Sequence, residues 1–257
     1  RGKQAAASSV TSPPAFLRVF HGTPHTVDKF STDKIGTGEG AQAYGYGLYF
    51  ASKREIAEHY RNALGRPDSA GLSRAQDLAA WAYSMQSPYA GDAMEHLNDE
   101  IARMERHGKF NDKVLRSDYE EAKRIVASGE VISNGKLYQV DIPEDSEMLH
   151  WDKPLSEQSD EVKALANKYD YPLSRTGGDF QKWASSASGG LTINIRGPKD
   201  RAGLEKQASD LFKKNGIRGI KYLDGGSRNA GDGSYNYVVF DDNDVSIEAV
   251  HSRGTND

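Results

Sequence analysis

Apolar positions along the chain recur with two different periods. "FLRVFHG", "GLYFA", "GKLYQVDIP", "IRGIKYLD" and "YNYVVFDD" are short runs rich in β-branched and aromatic residues, most of them bounded by glycine or proline. They predict strands over 16–22, 47–51, 135–143, 217–224 and 235–242, and a weaker run predicts one more over 245–250. Helical spacing governs 52–64, where Ile56, Ala57, Tyr60 and Leu64 fall on one face behind Ser52 as N-cap. It also governs 155–170 and 199–216, the latter with Leu204, Ala208, Leu211 and Phe212 in one stripe and Gly216 as its stop. Residues 73–128 are polar and helix-prone, and "GDAMEHLNDEIARMERHG" is their clearest amphipathic piece. Strands and helices do not alternate regularly, so the pattern predicts an α+β fold rather than a doubly wound sheet. The organisation predicted is one domain over 16–250 with a helical insertion at about 65–134. An Ala/Ser/Pro-rich linker at 1–15 precedes it, and a flexible tail at 251–257 follows.

Composition narrows the chemistry. Of 257 residues, 37% are apolar and 27% charged, which suits a soluble globular protein. The net charge of -4 offers no broad attraction to nucleic acid or to an anionic membrane. There is no cysteine, so thiol catalysis, disulfides and cysteine–zinc sites are excluded within this chain. No apolar run approaches the roughly 20 residues a membrane helix needs. The first residues carry no apolar signal core, and their composition suggests a domain cut from a longer protein.

Several familiar sites are also missing. His21 and His25 are four apart, but Pro24 between them breaks the helix a metal pair would need, so no metal is predicted. "GTGEG" at 36–40 lacks the Gly-Lys-Ser/Thr of a phosphate loop, and no Gly-x-Ser-x-Gly occurs. What remains is "FHGTP" at the end of the first strand, "YGYGLYFASKREIAEHY" in the middle and "SYNYVVFD" near the C-terminus.

In order and spacing these three segments resemble the ADP-ribosyltransferase superfamily, on the branch of diphtheria toxin and the poly(ADP-ribose) polymerases. The strings "FHGTPHTVDKFSTDKIGTGEGAQAYGYGLYFA" and "LYQVDIPEDSEMLHWDKPLSEQ" are similar to such domains in large phage-associated polyvalent proteins and bacterial effectors. The resemblance implies a split β-sheet core and a mono-ADP-ribosyltransferase using NAD as substrate, with a protein of a host or bacterial cell as acceptor. It also implies action in the cytoplasm, or in that of a target cell after delivery. His21 would bond the adenosine-side ribose, the Gly22 backbone the nicotinamide amide, and Thr23 a ribose or phosphate. Tyr60, eleven residues after Tyr49, would stack on the nicotinamide against Tyr49, with Gly47 and Phe50 in the same wall. Aromatic faces and close-approaching glycine backbone are what a flat neutral ring requires.

One position departs from the family pattern. Asn236 stands where the family places a glutamate that supports positive charge at the ribose as nicotinamide leaves. An amide bonds a hydroxyl but brings no charge, and losing one such contact costs about 3 kcal/mol, roughly a hundredfold in rate. Two carboxylates could substitute, Glu39 in "GTGEG" and Asp232 just before the late strand; Glu39 is preferred because flanking glycines allow close approach. Each assignment has a plainer counterpart. His21 can be a strand-end histidine, the aromatics of 44–50 core residues, and Tyr60 a helix-core residue. Glu39 can be a loop carboxylate, Asp232 a turn former, and the charges of 95–125 a solvated face. The competing function is an inactive module that binds NAD or ADP-ribose and acts through protein contacts; a third takes a nucleic-acid base or small molecule as acceptor.

Overall fold

In the computed structural model, residues 16–35, 43–87, 90–111, 113–186, 200–225 and 233–251 are described. The strands are β1 (Leu17–Thr23), β2 (Leu48–Ala51), β3 (Lys136–Ile142), β4 (Met148–His150), β5 (Gly219–Leu223), β6 (Tyr235–Val239) and β7 (Ser246–His251). The helices are α1 (Arg54–Leu64), α2 (Arg74–Met85), α3 (Ala93–Arg106), α4 (Arg116–Ala127), α5 (Asp160–Lys168), α6 (Gly177–Ala184) and α7 (Arg201–Lys214). All seven strands join one mixed sheet in the order β4-β5-β6-β2-β1-β3-β7, with β4–β5 parallel and the other pairs antiparallel. This is an α+β arrangement. Residues 1–15 and 252–257, read as linker and tail, lie outside the described residues, while His251 closes β7.

The sheet is unevenly sewn. β1 pairs with β3 along its whole length, from Leu17↔Ile142 to Thr23↔Lys136. With β2 it shares a single residue pair, Phe20↔Ala51. The half-sheets β4-β5-β6-β2 and β1-β3-β7 therefore meet at a weak seam.

Both faces of the sheet are covered, so consecutive strand residues such as Val238 and Val239 are both buried but join different cores. Val19, Phe50, Tyr138, Val140, Tyr237 and Val239 form a core with Phe30 on one face. On the other, Ile220, Tyr222 and Val238 pack with Leu149 under Phe180 of α6 and Phe212 of α7. Both phenylalanines are fully enclosed, and truncating either to alanine would cost about 3–5 kcal/mol. A third core, with Ala79, Leu97, Ile101, Tyr119 and Ala122, binds α2, α3 and α4 together within the insertion. The insertion leaves and returns at one point. A Cβ on Gly65 would lie 2.6 Å from the Gly135 Cα, and Asn134 N–H donates to the Gly65 carbonyl at 2.8 Å.

Three local readings change. Ser52 does not cap α1, whose N-cap is Lys53 without a side-chain hydrogen bond. Ser52 lies in the bend after β2, where its N–H donates to Tyr235 O (2.9 Å) and its Oγ accepts from Tyr235 N–H (3.0 Å). The helix read over 155–170 is a 3-10 turn at Leu155–Glu157 followed by α5, which Ser159 caps. Finally, β4 and α6 join elements not foreseen in the pattern. Among the described residues no helix is long and apolar enough to cross a membrane.

Candidate active site

Cross-strand partners in an antiparallel sheet point to the same face. The pairs Tyr49↔Val238, Ala51↔Asn236 and Tyr222↔Asn236 thus put Tyr49, Asn236 and Tyr222 on one face. Phe20↔Ala51 adds Gly22 by alternation, and α1 packs on that side of β1. The face is consequently covered by α1 at one end and by α6 and α7 at the other. Tyr60, on α1, keeps 53% of its surface exposed and is not a helix-core residue.

Tyrosines dominate this face. Tyr44 stacks on Tyr222 with ring centroids 3.7 Å apart and planes at 12°, and Tyr49 meets Tyr222 edge-on at 6.4 Å. The Tyr49 hydroxyl donates to the Gly45 carbonyl (2.8 Å) and accepts from Tyr44 N–H (3.2 Å), pinning the turn ahead of β2. Burial, foremost, raises the pKa of Tyr49 and of Tyr222. For Tyr60 partial burial raises it first and the Asp224 charge second. Tyr222 in turn feels Tyr49, Tyr60 and Asp224, so these groups lie within electrostatic reach of one another.

His21 occupies the seam rather than the tyrosine face. Alternation puts it beside Phe50, with its ring edge-on to Phe30 (5.1 Å) and Phe50 (5.7 Å). Its Nδ1 lies 2.8 Å from the Tyr49 carbonyl oxygen. A carbonyl only accepts, so Nδ1 carries the hydrogen and Nε2 the lone pair. Burial holds the pKa below the ordinary histidine value against that hydrogen bond, and the ring is neutral at pH 7. A neutral imidazole so fixed can accept a hydroxyl proton at Nε2.

Asn236 ends β6's approach to this face. Its Nδ2 donates to Asp224 Oδ1 at 3.1 Å. Its Oδ1 is buried, and among the described residues no donor reaches it. Asp224 follows β5 directly, and its N–H donates to the Ser234 carbonyl at 2.9 Å, extending the β5–β6 ladder by one step. Asp224 was not singled out in the sequence, because a lone acid after an apolar run is an ordinary strand end. The only hint was the glycine-rich stretch following it.

Other residues read as site members have structural duties. Phe50 is 3% exposed, its ring packed among Phe30, His21 and core neighbours, so it has no surface to offer a ligand. A Cβ on Gly47 would lie 2.5 Å from Val238 Cγ1 and 2.7 Å from Val239 O; its smallness lets β6 approach. Gly22 likewise makes room for α1, since an added Cβ would meet the Ala57 carbonyl and lie 2.5 Å from Arg61 N. Thr23 is buried, and its Oγ1 accepts from His25 N–H at 3.3 Å. Glu39 and Asp232 lie outside the described residues. A separate cavity of about 470 Å³ on the insertion is lined by Trp81, His96, Asp99, Glu100, Arg103 and Arg106, none of which belongs to this face.

No family model matches the chain, and no curated protein or solved structure does either.

Proposed function

We propose that this chain is a mono-ADP-ribosyltransferase built on a split ADP-ribosyltransferase-like sheet, taking NAD as substrate and a protein as acceptor. One observation carries the reading: Asn236, far along the chain from Tyr49 and Tyr60, shares one face with them beside the seam where β1 and β2 part. The residues fit such a substrate. Tyrosine faces suit a flat ring, and the buried, unpartnered Oδ1 of Asn236 suits a sugar hydroxyl.

In the reaction the bond between the nicotinamide nitrogen and ribose C1′ breaks, and its electron pair neutralises the pyridinium. The acceptor nucleophile forms a bond to C1′ from the opposite side and releases its proton to solvent. Tyr60 and Tyr49 hold the ring, the Gly22 backbone orients its amide, and neutral His21 accepts a hydroxyl hydrogen at Nε2. Orientation of this kind lowers the barrier by fixing the reacting geometry in advance. The acceptor is a protein of a host or bacterial cell, met in its cytoplasm.

The test incubates the protein with labelled NAD and a bacterial or host lysate. Label transfer and nicotinamide release are expected, with both strongly reduced in Tyr60→Ala and His21→Ala. Wild-type protein that neither gains thermal stability from NAD nor releases nicotinamide would refute the reading. Asn236 in place of a carboxylate favours a second reading, a module that holds NAD without cleaving it. Thermal protection by NAD with no nicotinamide released distinguishes that case.

A further inference from the structure

We infer that the two duties of a single carboxylate at this site are divided between neighbouring strands: Asn236 Oδ1 accepts a hydroxyl of the sugar, and Asp224 supplies the negative charge. The inference rests on the NAD reading of the same face.

The hydrogen bond itself assigns the parts. A carboxylate accepts and does not donate, so the Asn236 amide must turn its NH2 toward Asp224 Oδ1, as it does at 3.1 Å. That leaves the amide oxygen on the other side of the group, buried and without a donor among the described residues. A buried acceptor left unmatched is costly, and a ligand hydroxyl is the group that removes the cost. Because the amide is held by a charged partner, its orientation is set before any ligand arrives.

The topology places the charge where it can act. Tyr222↔Asn236 are cross-strand partners, and Asp224 lies two residues beyond Tyr222, so strand alternation returns it to the Asn236 face. Its field reaches across to Tyr60, the ring on the opposite helix. As the glycosidic electron pair leaves with nicotinamide, positive charge grows on C1′ and the ring oxygen of the ribose. A fixed negative charge on that face stabilises this state more than the ground state, which is the condition for raising a rate. No bond to Asp224 forms.

The measurement uses the whole chain with NAD: calorimetric affinity, steady-state nicotinamide release, and melting temperature to verify folding. Asp224→Asn keeps an acceptor for Asn236 Nδ2 and removes the charge, with an NH2 in place of the second carboxylate oxygen. It should leave the dissociation constant within about threefold and lower kcat about a hundredfold. Adding Asn236→Glu to Asp224→Asn returns a charge one strand away and should recover at least about tenfold of that loss. Asn236→Ala should weaken binding as well as turnover. If Asp224→Asn destabilises the fold, Asp224→Ser is expected to show the same loss of kcat. Wild-type turnover with an unaffected Asp224→Asn variant overturns the inference and leaves the NAD reading standing. NAD binding without turnover in wild type also overturns the role of Asp224. Absence of both binding and turnover in wild type overturns the reading and the inference together.

Discussion

Replacing Gly22 by alanine separates packing from ligand contact in the "FHGTP" segment. The new methyl carbon would lie 2.5 Å from Arg61 N and 2.9 Å from Ala57 C, with the Ala57 carbonyl oxygen closer still. Real Cβ contacts essentially never fall below 3.0 Å, so α1 must retreat by at least about half an ångström for Arg61 N alone. All these obstacles are backbone atoms, so no rotamer change relieves them. Ile56 and Ala57, now buried on that interface, lose contact as the helix moves. Overpacking in cores costs about 1–3 kcal/mol, and a collision with helix backbone belongs at or above the top of that range. At roughly 2–4 °C per kcal/mol for a chain of this size, the melting temperature should fall by about 6–12 °C. Thermal denaturation followed by circular dichroism, without NAD, measures it. Ala57→Gly should give no rescue, because the colliding oxygen is main-chain. A Gly22→Ala protein melting within about 2 °C of wild type would show that α1 does not need this glycine.

Three further outcomes are expected. Tyr60→Ala should change stability by no more than about 0.5 kcal/mol, since the ring is half exposed, yet weaken NAD binding about fivefold to tenfold; Tyr60→Phe should retain binding. Tyr49→Phe removes the donor to Gly45 and the acceptor for Tyr44; it should cost about 1 kcal/mol and speed amide hydrogen exchange at Tyr44, with unchanged exchange counting against the tether. His21 and His150 both have pKa values lowered by burial, so the unfolded chain binds their protons more readily. Stability should therefore be level above pH 7 and decline as pH falls below 6.5, and His21→Gln should flatten part of that slope in denaturant titrations.

Much of the sheet was legible because its strands are short runs of β-branched and aromatic residues bounded by turn formers, as in "KLYQVDI" and "YNYVVF". The element α6 was not, because it opens with two glycines, the poorest helix formers after proline. Tertiary contact explains them: a Cβ on Gly178 would lie 2.6 Å from the Trp151 ring, and one on Gly177 would lie 2.9 Å from the His150 carbonyl carbon. β4 is three residues long, too short for any period to register. Within the site, the spacing from Tyr49 to Tyr60 is a property of one strand and the next helix, so local sequence contains it. The meeting of Asn236 with Asp224 depends instead on β5 lying next to β6, a pairing that no spacing along the chain encodes. Strand alternation alone puts the neighbours Tyr49 and Phe50 on opposite faces, so they could not share one wall; which of them faces the site depended on the pairing partners of β2.

The glycine clasp at Gly65 and Gly135 has a consequence for how this chain tolerates change. Everything between these two residues is, to the sheet, one closed loop whose ends are already joined. Closing a loop costs entropy only as the logarithm of its length, about 0.6 kcal/mol for each doubling. Helical material can thus be added to or trimmed from the far end of the insertion at little expense to β1 and β3, whose register is fixed on the other side of the clasp. The insertion is a port at which size can vary freely while the strands beneath keep their alignment.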